Sequence, residues 1–231
     1  MPFSDINNTF LDGLEFCSKV YTLFEQIREQ ENGVSRLRLR DSNIEKKLIE
    51  ELLPICLYIQ SKYRAGRYIS VKWIDGSQQF DAEIQQKGGY IKQGCFPDTA
   101  YLEVTCVMHP NDYLNRELLD KEGFSFGLDG IKRLETREIV SEPVVHSNFE
   151  FVLSFSKLVL KQIDKKISIS YPANTTLIIQ CSLNTLYTPD EWEMLIANVR
   201  KNISDHNFQE IFIFDSVCNY SSSIYGKRPT T

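Results

Sequence analysis

The 231-residue chain lacks any apolar run of the ~18 residues that a membrane helix needs, so no membrane span is expected. Its first residues, Met1-Pro2-Phe3-Ser4-Asp5, lack the basic start and apolar stretch of a secretory leader. The six cysteines (17, 56, 95, 106, 181 and 218) include no C-x-x-C pair, which excludes a zinc knuckle. Unclustered thiols without a leader point to a reducing, cytoplasmic setting. Only 11 glycines and 8 prolines occur, too few for a low-complexity chain. The charge is −5, which excludes a generically basic nucleic-acid binder but leaves room for a local basic groove. No G-x-S-x-G elbow, Walker loop or G-x-G-x-x-G fingerprint is present.

What is present suits a folded core: 42% hydrophobic and 12% aromatic residues, with no Pro/Gly/Ser-rich linker, so one domain over 1–231 is expected. Three- and four-residue spacing from Phe10 to Ile27 predicts a helix over 9–31, broken at Asn32-Gly33. Arg36, Arg38 and Arg40 alternate with Leu37 and Leu39, which reads as an extended segment with one charged face. Ser42-Asn43-Ile44-Glu45 is a capping box opening a second helix to about Tyr63, with Pro54 as a candidate kink. Strands are expected at 68–74, 79–85 and 101–108, the first two joined by a tight turn at Asp75-Gly76. An irregular excursion over 110–146, carrying one short helix, precedes a helix at 148–166. Buried strands at 176–181 and 210–215 flank a helix at 190–203, and the polar tail from Ser221 reads as frayed. The order predicts an α/β fold: a mixed central sheet flanked by helices.

Strand parity then picks out acids. Glu103 interrupts a run that otherwise wants burial, and a buried carboxylate costs several kcal/mol unless paired or bound to a cation. Asp81 points off the apolar face of the neighbouring run. Two such acids on adjacent strands repel, and a divalent cation, Mg²⁺ or Mn²⁺ for oxygen donors, removes the penalty. On a helical wheel Glu45 falls amid the apolar arc of the second helix, with Glu50 at its edge and Glu51 outside it. Glu45 is therefore the helix acid expected to face the sheet, although capping Ser42 accounts for it equally well.

Glu45 at a helix start, Asp81 on a middle strand and Glu103-Val104-Thr105 on the next resemble the PD-(D/E)XK nuclease superfamily over about residues 42–215. The resemblance implies a restriction-endonuclease-like fold and metal-dependent phosphodiester hydrolysis. Asp81 and Glu103 would hold Mg²⁺ or Mn²⁺, Glu45 would orient water or complete the shell, and Thr105 would occupy the family's lysine position. This E-x-T departs from the family's E-x-K. Lys72, Lys157, Lys161 and Gln180 are candidate substitutes. The alternative is a non-catalytic protein of the same fold that binds nucleic acid or a protein partner. A nucleic-acid contact is expected at the basic patch Arg36, Arg38, Arg40, Lys46 and Lys47, which reads otherwise as solvated surface. His109, His146 and His206 read as loop or packing residues, His109 being close enough in sequence to Glu103 to contact a leaving phosphate.

Overall fold

In the computed structural model, which describes residues 3–226, a seven-stranded mixed sheet carries helices on both faces. In chain order its elements are β1 (Leu11–Asp12), α1 (Gly13–Arg28), α2 (Gly33–Leu39), α3 (Asn43–Lys47), a π-turn (Leu48–Leu52) and α4 (Leu53–Lys62). Next come β2 (Tyr68–Trp73), β3 (Ala82–Lys87), the single turn α5 (Gly89–Lys92) and β4 (Thr99–Val107). The excursion holds α6 (Asp112–Glu122) and a two-stranded hairpin, β5 (Ile131–Arg133) with β6 (Ile139–Ser141). Then follow α7 (Asn148–Ile167), β7 (Thr175–Cys181), α8 (Pro189–Asn202), β8 (Glu210–Asp215) and β9 (Ser221–Tyr225). The sheet order is β1-β2-β3-β4-β7-β8-β9. Strands β2, β3 and β4 form an antiparallel meander, β4, β7 and β8 run parallel, and β9 returns antiparallel on β8. No described helix is long and apolar enough to cross a membrane.

The two-residue period of the strands sorts the core into two layers. Ile69, Val71, Leu102, Val104, Ile178 and Phe212 face α1 and α4; Leu177, Ile179, Ile211 and Ile213 face α7 and α8. The parallel strands β7 and β8 are buried along their whole length, as their apolar centres, residues 177–179 and 211–214, require.

Three local readings differ from the sequence pattern. Residues 33–39 form a helix instead of an extended segment, because Leu37 is buried and α2 packs against α1 and α6. Gly33 permits the tight entry: a Cβ there would sit 2.0 Å from the Ile27 carbonyl oxygen. The expected frayed tail is in part a strand, because the backbone of 221–225 pairs with the otherwise open edge of β8; residues 227–231 lie outside the described residues. Finally, β3 begins at Ala82, after a loop in which the Gln78 amide bonds the carbonyls of Ile74 and Phe80 (2.7 and 2.8 Å). A wider loop therefore replaces the tight turn.

The second helix spans 43–62 as expected, but its irregularity is a π-turn immediately before Pro54. The Leu53 N–H bonds the Leu48 carbonyl five residues back. Pro54 has no N–H to offer the Glu50 carbonyl, which accepts the Cys106 thiol instead (3.5 Å).

Candidate active site

Asp81 lies just outside β3 yet continues its ladder. Its N–H donates to the Leu102 carbonyl (2.8 Å) and its carbonyl accepts from Ile74 (3.0 Å). The Val104 N–H has no β3 partner beyond the strand's end, and the Asp81 Oδ2 accepts it (2.7 Å). Burial raises the Asp81 pKa to about 7, with the charges of Glu51 and Glu103 adding to the rise; the Val104 bond and Lys166 act against it.

Glu103 and Thr105 point to the α7 side. The Lys166 ammonium bonds Glu103 (2.5 Å), and the Gln162 amide donates to the Thr105 hydroxyl (2.5 Å). The match is geometric: two residues along a strand rise about 6.6 Å and four along a helix rise about 6 Å, so the pairs 103/105 and 166/162 align on antiparallel elements. The Tyr171 phenol lies near Glu103; burial first, and then that carboxylate, pushes its pKa up.

The helix acid beside this pair is Glu51. Its carboxylate accepts the Trp73 indole N–H, and burial, the largest cause, raises its pKa; Asp75 and Glu103 add to the rise, while the Trp73 bond and Lys47 oppose it. Glu50 turns the other way, accepting from Arg40 and from the Tyr113 hydroxyl (3.0 Å). Glu45 is fully buried but bound elsewhere, to the Ser42 hydroxyl and backbone and to Arg36. Burial alone would raise its pKa; the bonds from Ser42 and Arg36 outweigh that and hold it low. The wheel that favoured Glu45 assumes 100° per residue throughout, and the π-turn alters the phase of the residues it contains. The sequence signal for this was Pro54, which frees the Glu50 carbonyl.

Glu50, Glu51, Asp81 and Thr105 line one cleft of about 540 Å³, together with Lys46, Lys47, Cys106 and Tyr113. Among the candidates for the missing lysine, Lys72 is committed to its cross-strand neighbour Glu83 (2.5 Å). Lys157 and Lys161 are exposed, and Gln180 accepts the Cys106 thiol (3.2 Å). The cation beside Glu103 is Lys166, which sequence reading passed over although Gln162 and Lys166 share one turn spacing of α7.

The basic patch is largely consumed within the fold. Arg36 pairs with Glu45, Arg38 with Asp120 (3.1 Å), Arg40 with Glu50 and Lys47 with Asp75. Lys46 is exposed and has no ion pair among the described residues. His109 Nε2 bonds Asp129 Oδ1 (3.0 Å), and His146 Nε2 lies 3.2 Å from Oδ2, an ion pair when that ring is protonated. Because His109 Nδ1 accepts the Asn111 N–H (3.1 Å), its Nε2 carries the proton given to Asp129 in the neutral ring, which ties the excursion together. His206 is half-buried beside Phe208.

Among the described residues, no three acidic, histidine or cysteine side chains are close enough together to hold a metal ion unaided. Comparison with known proteins is silent: no family model matches the chain, and no curated protein and no solved structure matches it.

Proposed function

We propose that the cleft is the active site of a metal-dependent phosphodiester hydrolase of the nuclease type, with Asp81 and Glu51 on its wall and Glu103, outside the lining, acting on Asp81 through its charge. One observation carries this reading: Asp81 is brought to a pKa of about 7 by burial and by two neighbouring carboxylates, in a cleft large enough for substrate. Such a carboxylate needs a proton or a cation. The donor set of hard carboxylate oxygens fits Mg²⁺ or Mn²⁺, which are commonly held by one or two protein carboxylates, with water and substrate phosphate supplying the rest. Asp81 and Glu103 would hold the ion. When bound, it lowers the pKa of a coordinated water and neutralises charge on the reacting phosphate.

The other roles belong to the chain itself. Glu51, raised in pKa and anchored by Trp73, is suited to accept a proton from the attacking water. Lys166 positions Glu103 and offsets its charge. Lys46 and Lys47 on the cleft wall favour an anionic substrate. Thr105, held by Gln162, lines the cleft without a charge of its own. That last feature favours a second reading, a non-catalytic protein of this architecture that binds nucleic acid or a protein partner.

Isothermal titration with Mn²⁺ on the wild type, Asp81→Ala and Glu51→Ala tests the site. Binding by the wild type and at least tenfold loss in Asp81→Ala are expected, with Mg²⁺-dependent cleavage of single- or double-stranded DNA or RNA. Equal heats for wild type and Asp81→Ala would remove the metal site. Metal binding without cleavage would select the second reading.

A further inference from the structure

Behind the Glu50 and Tyr113 wall of the same cleft, outside its lining, lie two arginines that the proposed reaction does not use. Arg40 ends α2 in a left-handed conformation (φ 57°), and its side chain is only 7% exposed. Its Nη1 donates to Glu50, but its Nε is buried without a hydrogen-bond partner among the described residues. Arg116 on α6 has a side chain 11% exposed and reaches Asp112 through Nη2 (2.5 Å). Its guanidinium carbon lies 5.2 Å from the centre of the Tyr113 ring, and its Nη1 is likewise buried and unpartnered. Burial, and then the charge of Arg40, pulls the Arg116 pKa down. Lys46, Glu50, Cys106 and Tyr113, which adjoin this pair, line the cleft.

Arg40 and Arg116, each with an idle N–H, meet Glu50 and Asp112, whose Oδ2 is itself without a hydrogen bond among the described residues, so with Lys46 the cluster keeps one positive charge in excess. Glu50 serves Arg40 and Tyr113, and Asp112 serves Arg116, so Lys46 is left over as a net cation. A buried N–H without a partner is costly, so the persistence of two calls for a reason. Tetrahedral oxyanions match paired guanidinium forks, each fork offering parallel N–H bonds.

We propose that Arg40, Arg116 and Lys46 form a subsite for a phosphoryl oxyanion, with Glu50 as the internal carboxylate that the ligand displaces. Resting on the hydrolase reading, the occupant is a phosphodiester of the substrate strand next to the one held at Asp81. The π-turn makes this possible: it sends consecutive residues to the two ends of the cleft, Glu51 to the acidic wall and Glu50 to the arginines.

The test needs no divalent metal and no turnover. Inorganic phosphate and a short single-stranded oligonucleotide are titrated separately into wild type, Arg116→Gln, Lys46→Gln and Glu50→Gln at low salt, with circular dichroism to confirm folding. Phosphate should bind the wild type, at least tenfold more weakly to Arg116→Gln, and several-fold more tightly to Glu50→Gln, where the competing carboxylate is gone. The exposed Lys46→Gln cannot fail through misfolding of the core; it should lower the salt slope of oligonucleotide binding by about one unit. The subsite is overturned if neither wild type nor Glu50→Gln binds phosphate, or if Arg116→Gln or, should that variant not fold, Lys46→Gln binds as wild type does. Phosphate binding without oligonucleotide binding would overturn the strand assignment in favour of a free phosphate. Metal-free binding of both ligands by a protein that never cleaves would keep the subsite and remove the hydrolase reading.

Discussion

Two sheet carboxylates, Glu210 and Asp81, meet opposite treatment. Glu210 on β8 is buried and receives the Lys62 ammonium (2.6 Å), the Tyr58 hydroxyl (3.2 Å) and the Ser223 hydroxyl (2.5 Å). Asp81 beside β3 receives one backbone N–H and faces two further carboxylates. Strands β4 and β7 lie between them. The first arrangement is what a fold builds when a buried charge only has to be tolerated. The second keeps like charges together beside a cleft at a cost in stability, as the proposed active site would require. The difference locates the candidate site independently of any motif.

The largest test of that comparison is Lys62→Met. It leaves Glu210 buried with two neutral donors and should destabilise the protein by about 3–5 kcal/mol in urea denaturation, with partial recovery in the double variant Lys62→Met/Glu210→Gln. A loss below about 1 kcal/mol would mean that Glu210 is not the satisfied member of the pair.

Lys166→Met acts on the other member. Glu103 loses its cation beside two other carboxylates, and a loss of about 2–3 kcal/mol is expected at pH 8. The loss should shrink at pH 5, where protonation relieves the cluster. A pH-independent loss would show that Lys166 contributes by packing alone.

Asp81→Asn should instead stabilise. The folded pKa of Asp81, about 7, lies above the ordinary 3.8, so wild-type stability falls as pH rises from about 4 to 7 and the penalty is complete above 7. Three units at about 1.4 kcal/mol each, discounted for solvent at the cleft, make Asn more stable by about 1–3 kcal/mol at pH 8 and near neutral at pH 4. Urea midpoints at the two pH values measure it; an equal difference at both would refute the raised pKa. The smallest effect is expected for Lys72→Met, whose pair with Glu83 is partly exposed: about 0–1 kcal/mol by the same measurement.

Much of this could be read along the chain. The five principal strands, the helices at 148–166 and 190–203 and the excursion without central strands all follow from local periodicity, because a strand's two-residue and a helix's 3.6-residue period are written in neighbouring side chains. Glu103 was legible because it interrupts an apolar run, and Asp81 because it falls on the polar side of an alternating one. Residues 33–39 were not, since Leu37 and Leu39 satisfy an alternating pattern as well as a helical one, and α6, about eighty residues later, decides between them.

The sequence by itself thus determined the element order, the apolar faces and two acids set beside apolar strand positions, since each is a property of adjacent residues. Tertiary structure alone decided which helix acid joins them and which cation answers them. Glu51 takes the place expected of Glu45 because Pro54 leaves a carbonyl to Cys106 on β4 and a π-turn forms at that contact. Lys166 is the cation beside Glu103, where Lys72, Lys157, Lys161 and Gln180 were the candidates, because α7 packs antiparallel to β4 in one register. Both outcomes depend on where a helix comes to rest against a strand some fifty to sixty residues away in the chain, a relation that no local period records.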